Sequence, residues 1–303
     1  MSRIHEALKK AAQEKTAHLA AGERADVAAA TVDIHGSVLS MPHGPEPTVR
    51  ETWTSEGGGV SPRFDDLMKR CAHHEWKPDP RSSIYSRGGD VTTIGAERFR
   101  TLRSRLSQIG AVRPLRTVLV TSSVPNEGKT FVAVNLAHSI ARQHDKRVLL
   151  IDADLRSPRA HETLGAPPTP GLTNYLAGEA DGFDVVQRGA EANFCFIPCG
   201  RPVSNASELL LGGRMKSLLK LVTPIFDWVI IDSPPALPVH DSSVLADLCD
   251  GVLFVVRAGE TNHEIAERGV SEFRNKNLLG VVLNRVDKVE GYGNYYGYPS
   301  KEE

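Results

Sequence analysis

Residues that suit phosphate binding are concentrated in SSVPNEGKT, residues 122–130 of this 303-residue sequence. Its Gly-Lys-Thr ending predicts a loop whose backbone N–H groups surround phosphates. Lys129 can reach the β- and γ-phosphates, and the Thr130 hydroxyl can reach Mg²⁺. Ser123 stands where the first glycine of such a motif is usual. The predicted nucleotide contacts are Ser123, Pro125, Asn126, Glu127, Gly128, Lys129, Thr130 and Phe131.

Aspartates end two apolar runs further along the chain. Asp152 and Asp154 lie in VLLIDADLR, and Asp232 lies in DWVIIDSPP. Doubly wound folds bind ligands outside the carboxyl ends of their strands, so these carboxylates are expected to converge on the phosphates. Asp232 suits a metal-binding role, while one of the other pair could hold a metal-bound water and its neighbour could accept a proton. The three segments together predict nucleotide hydrolysis or transfer.

Asn284 ends the last apolar run, GVVLNR. Its amide is a candidate for adenine recognition. A residue that closes the turn at the end of the sheet is an equally simple interpretation, so both remain open.

The elements that must position these residues alternate along the chain. Continuous apolar runs, several of them β-branched, predict strands at 115–121, 147–152, 194–198, 226–232, 251–257 and 280–286. Helical periodicity predicts helices at 96–109, 129–143, 206–222, 241–248 and 262–275. This alternation predicts an α/β domain with a doubly wound, mostly parallel sheet.

The chain divides into four predicted regions. Residues 1–14 form a short amphipathic helix or a frayed tail, and Gly/Pro/Ser-rich residues 15–90 form a flexible, largely disordered linker. The linker contains a few isolated apolar residues that are candidates for docking on the domain: Trp53, Phe64, Leu67 and Trp76. A disordered linker is nevertheless the favoured interpretation. Residues 91–288 form the nucleotide-binding domain, and residues 289–303 a tyrosine-rich tail.

Composition excludes several classes of protein. The 36 Lys+Arg and 37 Asp+Glu residues give a net charge of -1, which argues against a nucleic-acid partner. No run approaches the ~18 apolar residues of a membrane span, and the first residues lack the apolar core of a signal peptide. Four scattered cysteines form neither a disulfide framework nor a zinc pattern. We therefore expect a cytoplasmic protein.

Residues 90–303 resemble the bacterial tyrosine kinases (BY-kinases) of polysaccharide export systems. These are P-loop NTPases with Walker A, Walker A′ and Walker B elements and a Min/Par-like fold, matched here by SSVPNEGKT, LLIDADLR and VIIDSPP. The segment SNASELL also looks like a helix start of that family. The resemblance implies that Lys129, Asp152 and Asp154 are catalytic, with Asp152 the principal aspartate. Thr130, Asp154 and Asp232 would then bind Mg²⁺.

Two further features resemble this family. Glu97-x-x-Arg100-x-x-Arg103 matches its subunit-contact motif E-x-x-R-x-x-R, and its three residues share one helical stripe. The tail GYGNYYGYPSKEE holds four of the six tyrosines of the chain. The resemblance implies that these are phosphoacceptors: Tyr292, Tyr295, Tyr296 and Tyr298.

The resemblance implies an ATP- and Mg²⁺-dependent tyrosine autokinase that regulates exopolysaccharide polymerisation and export. Its implied partners are copies of itself in a ring, a membrane polysaccharide co-polymerase that activates it at the inner face of the membrane, and a tyrosine phosphatase. The chain is more like stand-alone kinases, including those that accompany exosortase-linked loci, than like membrane-fused members.

Two other functions compete with this interpretation. A Min/Par-type positioning ATPase usually carries lysine early in its loop, in the pattern K-G-G-x-G-K-[ST], whereas no lysine precedes Lys129 in this loop. A non-catalytic nucleotide-binding regulator would not need the full set of Lys129, Asp152, Asp154 and Asp232.

Overall fold

The computed structural model describes residues 64–80, 82, 84 and 94–286, and every structural statement below concerns this part of the chain. Its helices and strands are, in chain order, α1 (Phe64–Arg70), β1 (Ala72–His73), α2 (Ile94–Val112), β2 (Thr117–Ser122), α3 (Lys129–Ala141), β3 (Val148–Asp152), α4 (Ala160–Leu164), α5 (Leu172–Leu176), β4 (Gln187–Arg188), β5 (Phe194–Ile197), α6 (Ala206–Leu211), α7 (Gly213–Val222), β6 (Trp228–Asp232), α8 (Asp241–Ala246), β7 (Gly251–Arg257), α9 (His263–Ser271) and β8 (Leu278–Asn284).

The strands form a single sheet in the order β1-β4-β5-β3-β6-β2-β7-β8. All neighbours run parallel except β4 and β5. β2, β3 and β6 are buried along their whole lengths, which is why they appear in the sequence as unbroken apolar runs. The predicted doubly wound, mostly parallel α/β fold is therefore confirmed.

Two hydrophobic clusters cover the two faces of this sheet. Leu119, Ile151 and Ile231 point to a face packed by α5 to α8. The alternate residues of the same strands point to the opposite face, which α2, α3 and α4 cover. Successive strand residues alternate between faces, so one strand supplies both clusters. Among the described helices, none is both long and apolar enough to cross a membrane.

The six predicted strands are confirmed, with ends that differ by at most two residues. The predicted single helix over 206–222 is wrong, because the backbone at Gly212 is extended and separates α6 from α7. The short elements α4, α5 and β4 lack the several repeats that a periodicity needs, and the sequence did not predict them.

The predicted flexible linker is wrong for residues 64–80. Leu67 of α1 is fully buried, the Phe64 ring packs edge-on against Phe226, and the Trp76 ring packs against Phe194 and Phe196. β1 pairs with β4 and so extends the sheet. The sequence shows no periodic run here, because Phe64 and Leu67 join the cluster on one face of the sheet whereas Trp76 joins the cluster on the other. The predicted helix at 1–14, the tail and the rest of the predicted linker (15–63, 81, 83 and 85–90) lie outside the described residues.

Two residues just after this segment also contact the helix that follows the phosphate loop. The Asn135 amide of α3 donates to the Ser82 carbonyl at 2.9 Å and accepts from the Ile84 N–H at 2.8 Å. Asn135 is fully buried. Ser82 and Ile84, which precede the predicted domain boundary, therefore pack on α3, the helix that follows the phosphate loop.

Candidate active site

The loop between β2 and α3 has the backbone conformation of a phosphate-binding turn. Asn126 (φ 67°) and Gly128 (φ 94°) lie in the left-handed region, which asparagine and glycine tolerate best. A Cβ on Gly128 would lie 2.0 Å from Nδ2 of Asn284, so only glycine fits at this position. Helix α3 begins at Lys129 and directs its N-terminal N–H groups and positive dipole end at the loop.

Asn284, at the end of β8, contacts this loop directly. Its side-chain amide donates to the Glu127 carbonyl at 2.9 Å, and its Oδ1 accepts from the Arg285 N–H at 2.9 Å. This contact supports the interpretation in which Asn284 has a structural role at the end of the sheet. Adenine recognition by Asn284 stays a prediction.

Lys129 lies among the aspartates that the sequence placed at strand ends. Its Nζ donates to Asp154 Oδ2 at 2.6 Å, lies 4.0 Å from Asp232 Oδ1, and is 3.5 Å from the Thr130 hydroxyl. Asp152 and Asp232 are register partners in the parallel pair β3–β6, which explains why their carboxylates meet. Three distant segments thus converge at the carboxyl edge of the sheet, as the sequence predicted.

Backbone N–H groups hold two of these carboxylates. Asp152 accepts from the Asp154 N–H at 3.2 Å and the Ala160 N–H at 3.1 Å. Asp154 accepts from the Ser157 N–H at 3.0 Å and, more weakly, from the Arg156 N–H at 3.3 Å. The turn after β3 therefore orients Asp154 toward Lys129 and fixes the Asp152 carboxylate through backbone N–H groups.

Asp232 is held differently. It is fully buried, and the groups beside its carboxylate are the Lys129 ammonium, 4.0 Å from Oδ1, and the Thr130 hydroxyl. A buried carboxylate is costly unless a charge offsets it, and in this structure the Lys129 ammonium supplies that charge.

Burial and mutual repulsion change the proton affinities of this cluster. Burial, and next the charge of Asp232, raise the pKa of Asp152 well above its usual range. Burial raises the pKa of Asp232 to about 6, although the charge of Lys129 opposes the shift. Burial lowers the pKa of Lys129, but the charges of Asp232 and Asp154 more than offset this and leave it raised. The lysine is therefore a firmly protonated cation at neutral pH.

Asp232 and Thr130 fit a Mg²⁺ ion. Mg²⁺ typically binds one or two carboxylates and completes its shell with water and substrate phosphates. The carboxylate oxygens of Asp232, with the Thr130 hydroxyl beside them, are suitable ligands next to the loop that would hold those phosphates. In the described residues, no group of three or more carboxylate, imidazole or thiol side chains could hold a metal by itself. A bound phosphate would thus have to complete the ion's shell.

The remaining predicted nucleotide contacts divide by position. Pro125 and Asn126 form the exposed tip of the loop, whereas Ser123 is fully buried at its base. The Phe131 ring points away from the loop, packing against Phe99 of α2 with 5.9 Å between ring centroids. Any contact from Phe131 to nucleotide would have to come from its backbone.

One network beside the carboxylates was not predicted. The Arg156 guanidinium donates to Asp241 Oδ2 and to the Ser207 hydroxyl, each at 2.8 Å, and Ser207 donates to Asp241 Oδ1 at 2.6 Å. It ties the turn after β3 to α6 and α8. The sequence offers no signal for it, since Arg156 and Asp241 are 85 positions apart.

The predicted subunit-contact stripe lies on α2. Glu97 and Arg100 are exposed and form an ion pair with each other. Arg103 is half-buried and donates to the Ser139 carbonyl of α3, so it also packs within its own domain. Glu97 and Arg100 therefore lie at the surface of the described domain, whereas the Arg103 guanidinium contacts a carbonyl of its own domain.

Comparison with known proteins agrees with this geometry. Residues 118–296 match the CobQ/CobB/MinD/ParA nucleotide binding domain family. The tyrosine-protein kinase YwqD of Bacillus subtilis is 35% identical over 209 residues, covering 68% of this chain and 87% of YwqD. The kinase domain of Escherichia coli tyrosine kinase ETK superposes with a TM-score of 0.62 at 33% identity, covering 69% of this chain and 83% of that structure.

A longer relative matches over the same region. The succinoglycan biosynthesis transport protein ExoP of Rhizobium meliloti is 33% identical over 216 residues, covering 69% of this chain. The match covers only 27% of ExoP, so most of that protein has no counterpart in the aligned region.

Proposed function

The chain belongs to the bacterial tyrosine-protein kinases of the CobQ/CobB/MinD/ParA nucleotide-binding family, and we propose that it transfers the γ-phosphoryl group of ATP to its own C-terminal tyrosines. The observation that carries this proposal is the position of Lys129. Its ammonium lies in a buried cluster of aspartates, next to a loop shaped for phosphate. The proposed acceptors are Tyr292, Tyr295, Tyr296 and Tyr298, which lie outside the described residues.

The side chains have distinct proposed roles. When the phosphates enter, Lys129 exchanges its contact with Asp154 for one with the transferred group and stabilises its charge. The tyrosine oxygen forms a bond to the γ-phosphorus as the bond to the β,γ-bridging oxygen breaks, and ADP leaves. Asp152 takes the phenolic proton. Because a free phenol has a pKa near 10, an acceptor with a raised pKa is the better match.

The proposed Mg²⁺ site consists of Asp232, Thr130 and, once Lys129 has moved away, Asp154. The ion supplies neutralising charge at the phosphate oxygens. Asp232 is preorganised for this role because the end of β6 fixes it beside Thr130 and Lys129.

The proposed biological role is regulation of exopolysaccharide polymerisation and export. ExoP is named for the transport of a polysaccharide, which supports this role. We propose a ring of subunits that contact each other through Glu97 and Arg100. A co-polymerase at the inner face of the membrane would activate the kinase, and a tyrosine phosphatase would reverse the modification.

Mass spectrometry of phosphotyrosine after incubation with Mg-ATP tests the central claim. We expect phosphate on the four tail tyrosines, and we expect it to disappear when all four are replaced by Phe. Tyr175 is the internal control: it is 8% exposed, and its ring lies under the Arg214 guanidinium. A tail that stays unmodified while ATP is hydrolysed would instead indicate a Min/Par-like positioning ATPase.

Recruitment needs a separate test. Cells with and without the proposed co-polymerase would be fractionated. They would express either the full chain or a chain that starts near residue 64, where the described domain begins. We expect the kinase in the membrane fraction only when the co-polymerase is present. Recruitment of both chains alike would discard a tethering role for the N-terminal region, and purely soluble kinase with full activity would contradict recruitment altogether.

A further inference from the structure

Glu127 lies within the phosphate loop, yet its carboxylate points away from the space that phosphates would occupy. We infer that Glu127 and Thr261 are positioning residues, which hold the phosphate loop in its binding shape by fastening it to the loop between β7 and α9. The inference rests on the proposed function only in that this loop binds a nucleotide phosphate.

Three donors hold the Glu127 carboxylate. Oε2 accepts from the Val124 N–H at 2.8 Å, which closes the loop on itself. Oε1 accepts from the Thr261 hydroxyl at 2.7 Å and, more weakly, from the Arg257 N–H at 3.4 Å. Glu127 is only 2% exposed, so water cannot readily replace these partners. Both oxygens are thus committed to protein donors.

The charge of Glu127 argues against direct phosphate contact. A carboxylate repels phosphate, and a buried one next to the binding position would weaken binding unless it were oriented elsewhere. Two of its three donors lie at the end of β7 and in the following loop, and the third is the Val124 N–H, so the carboxylate is directed away from the phosphate position. The acid therefore acts on the nucleotide through the backbone: it fixes Val124 on one side and leaves Asn126 and Gly128 in their left-handed conformations.

Thr261 allows the inference to be tested without changing a charge. Thr261→Val removes the hydroxyl and preserves the shape, whereas Thr261→Ser keeps the hydroxyl. The matched control is Thr117→Val at the opposite end of β2, where the threonine hydroxyl accepts from the Asp250 N–H at 2.7 Å. All variants would be made in the full chain, and binding of a fluorescent ATP analogue with Mg²⁺ would be measured.

Loss of one hydrogen bond to a buried carboxylate should weaken nucleotide binding about tenfold in Thr261→Val. Thr261→Ser should stay close to wild type, and Thr117→Val should bind normally even if it melts at a lower temperature. In the kinase assay, KM for ATP should rise while kcat changes little, because loop shape affects ground and transition states alike.

Two results would overturn the inference. One is wild-type affinity in Thr261→Val. The other is equal weakening in Thr261→Val and Thr117→Val, which would mean that only general stability had changed. The binding measurement does not require kinase activity, so failure of this inference and failure of the kinase proposal give different results.

Discussion

The two edges of the central sheet both carry aspartates, but they use them in opposite ways. At the amino edge, Asp250 accepts from the Arg116 and Thr117 N–H groups, each at 2.8 Å, and Asp227 accepts from the Arg147 N–H at 2.9 Å. These carboxylates are partly exposed and join neighbouring loops. At the carboxyl edge, Asp152, Asp154 and Asp232 are buried together around one lysine.

The difference indicates where folding stability and function lie. An exposed carboxylate that accepts backbone N–H bonds stabilises the fold and needs no ligand. Burying carboxylates close to one another costs stability, and burial, with repulsion adding to it, raises the pKa values of Asp152 and Asp232. Such strain is typical of sites that act on a substrate. The following predictions compare the two edges, in order of decreasing effect.

Lys129→Met should reduce tail phosphorylation by about a thousandfold or more, because it removes the cation that stabilises the transferred phosphoryl group. The fold should persist, since the raised pKa values of Asp152 and Asp232 let the remaining carboxylates take up protons. Phosphotyrosine quantification and thermal melts measure the two effects. Lys220→Met, at an exposed position of α7, is the control. Comparable kinase activity in the two variants would contradict the catalytic role of Lys129.

Asp232→Asn and Asp250→Asn should have opposite effects. Asp232→Asn should weaken Mg²⁺-dependent nucleotide binding by at least about a hundredfold without lowering stability, because it removes a proposed ligand and a buried charge. Asp250→Asn should cost about 1 kcal/mol of unfolding free energy and leave binding unchanged, because charged acceptors form the stronger hydrogen bonds. Calorimetric titration with Mg-ATP and urea unfolding check both. Similar behaviour of the two variants would remove the distinction between the edges.

The loss of folding stability in acid should come from His138 rather than from the carboxylates of the candidate active site. Burial, and next the charge of Arg142, lower the pKa of His138 to about 4, whereas an unfolded histidine titrates near 6.5. Between pH 6.5 and pH 4 the unfolded state binds this proton and the folded state does not. The free energy of unfolding therefore falls by about 3 kcal/mol as the pH is lowered from 6.5 to about 4. The raised pKa values of Asp152 and Asp232 change stability in the opposite direction.

Urea unfolding between pH 7 and pH 4 isolates this contribution. His138→Gln should show a loss on acidification that is smaller than that of wild type by roughly those 3 kcal/mol. Parallel curves for the two proteins would show that His138 does not cause the acid sensitivity.

The smallest expected effect separates two arginines of α2. Arg103→Ala should lower the unfolding free energy by about 1 kcal/mol, because it removes the hydrogen bond to the Ser139 carbonyl. Arg100→Ala should change it by less than about 0.5 kcal/mol, because its ion pair with Glu97 is exposed. Light scattering should nevertheless show smaller assemblies for Arg100→Ala. An unchanged assembly mass would argue against the proposed ring contact.

The candidate site was largely predictable because parallel strands impose its geometry. Lys129, Asp152, Asp154 and Asp232 each follow an apolar run, and the carboxyl ends of such runs meet at one edge. Residues 64–80 were not predictable, because the burial of Leu67 and Trp76 depends on gaps formed by distant strands. The inward turn of Arg103 depends likewise on a carbonyl 36 positions away.

By itself, the sequence determined which residues could bind phosphate and a cation and which strands would carry them, because those properties follow from residue type and short-range spacing. Only the tertiary structure decided how each side chain is used. It turned Glu127 toward Thr261, placed Asn284 against Gly128 and set Asp232 beside Lys129. Such contacts join residues up to 157 positions apart, and no local pattern encodes a distance of that kind.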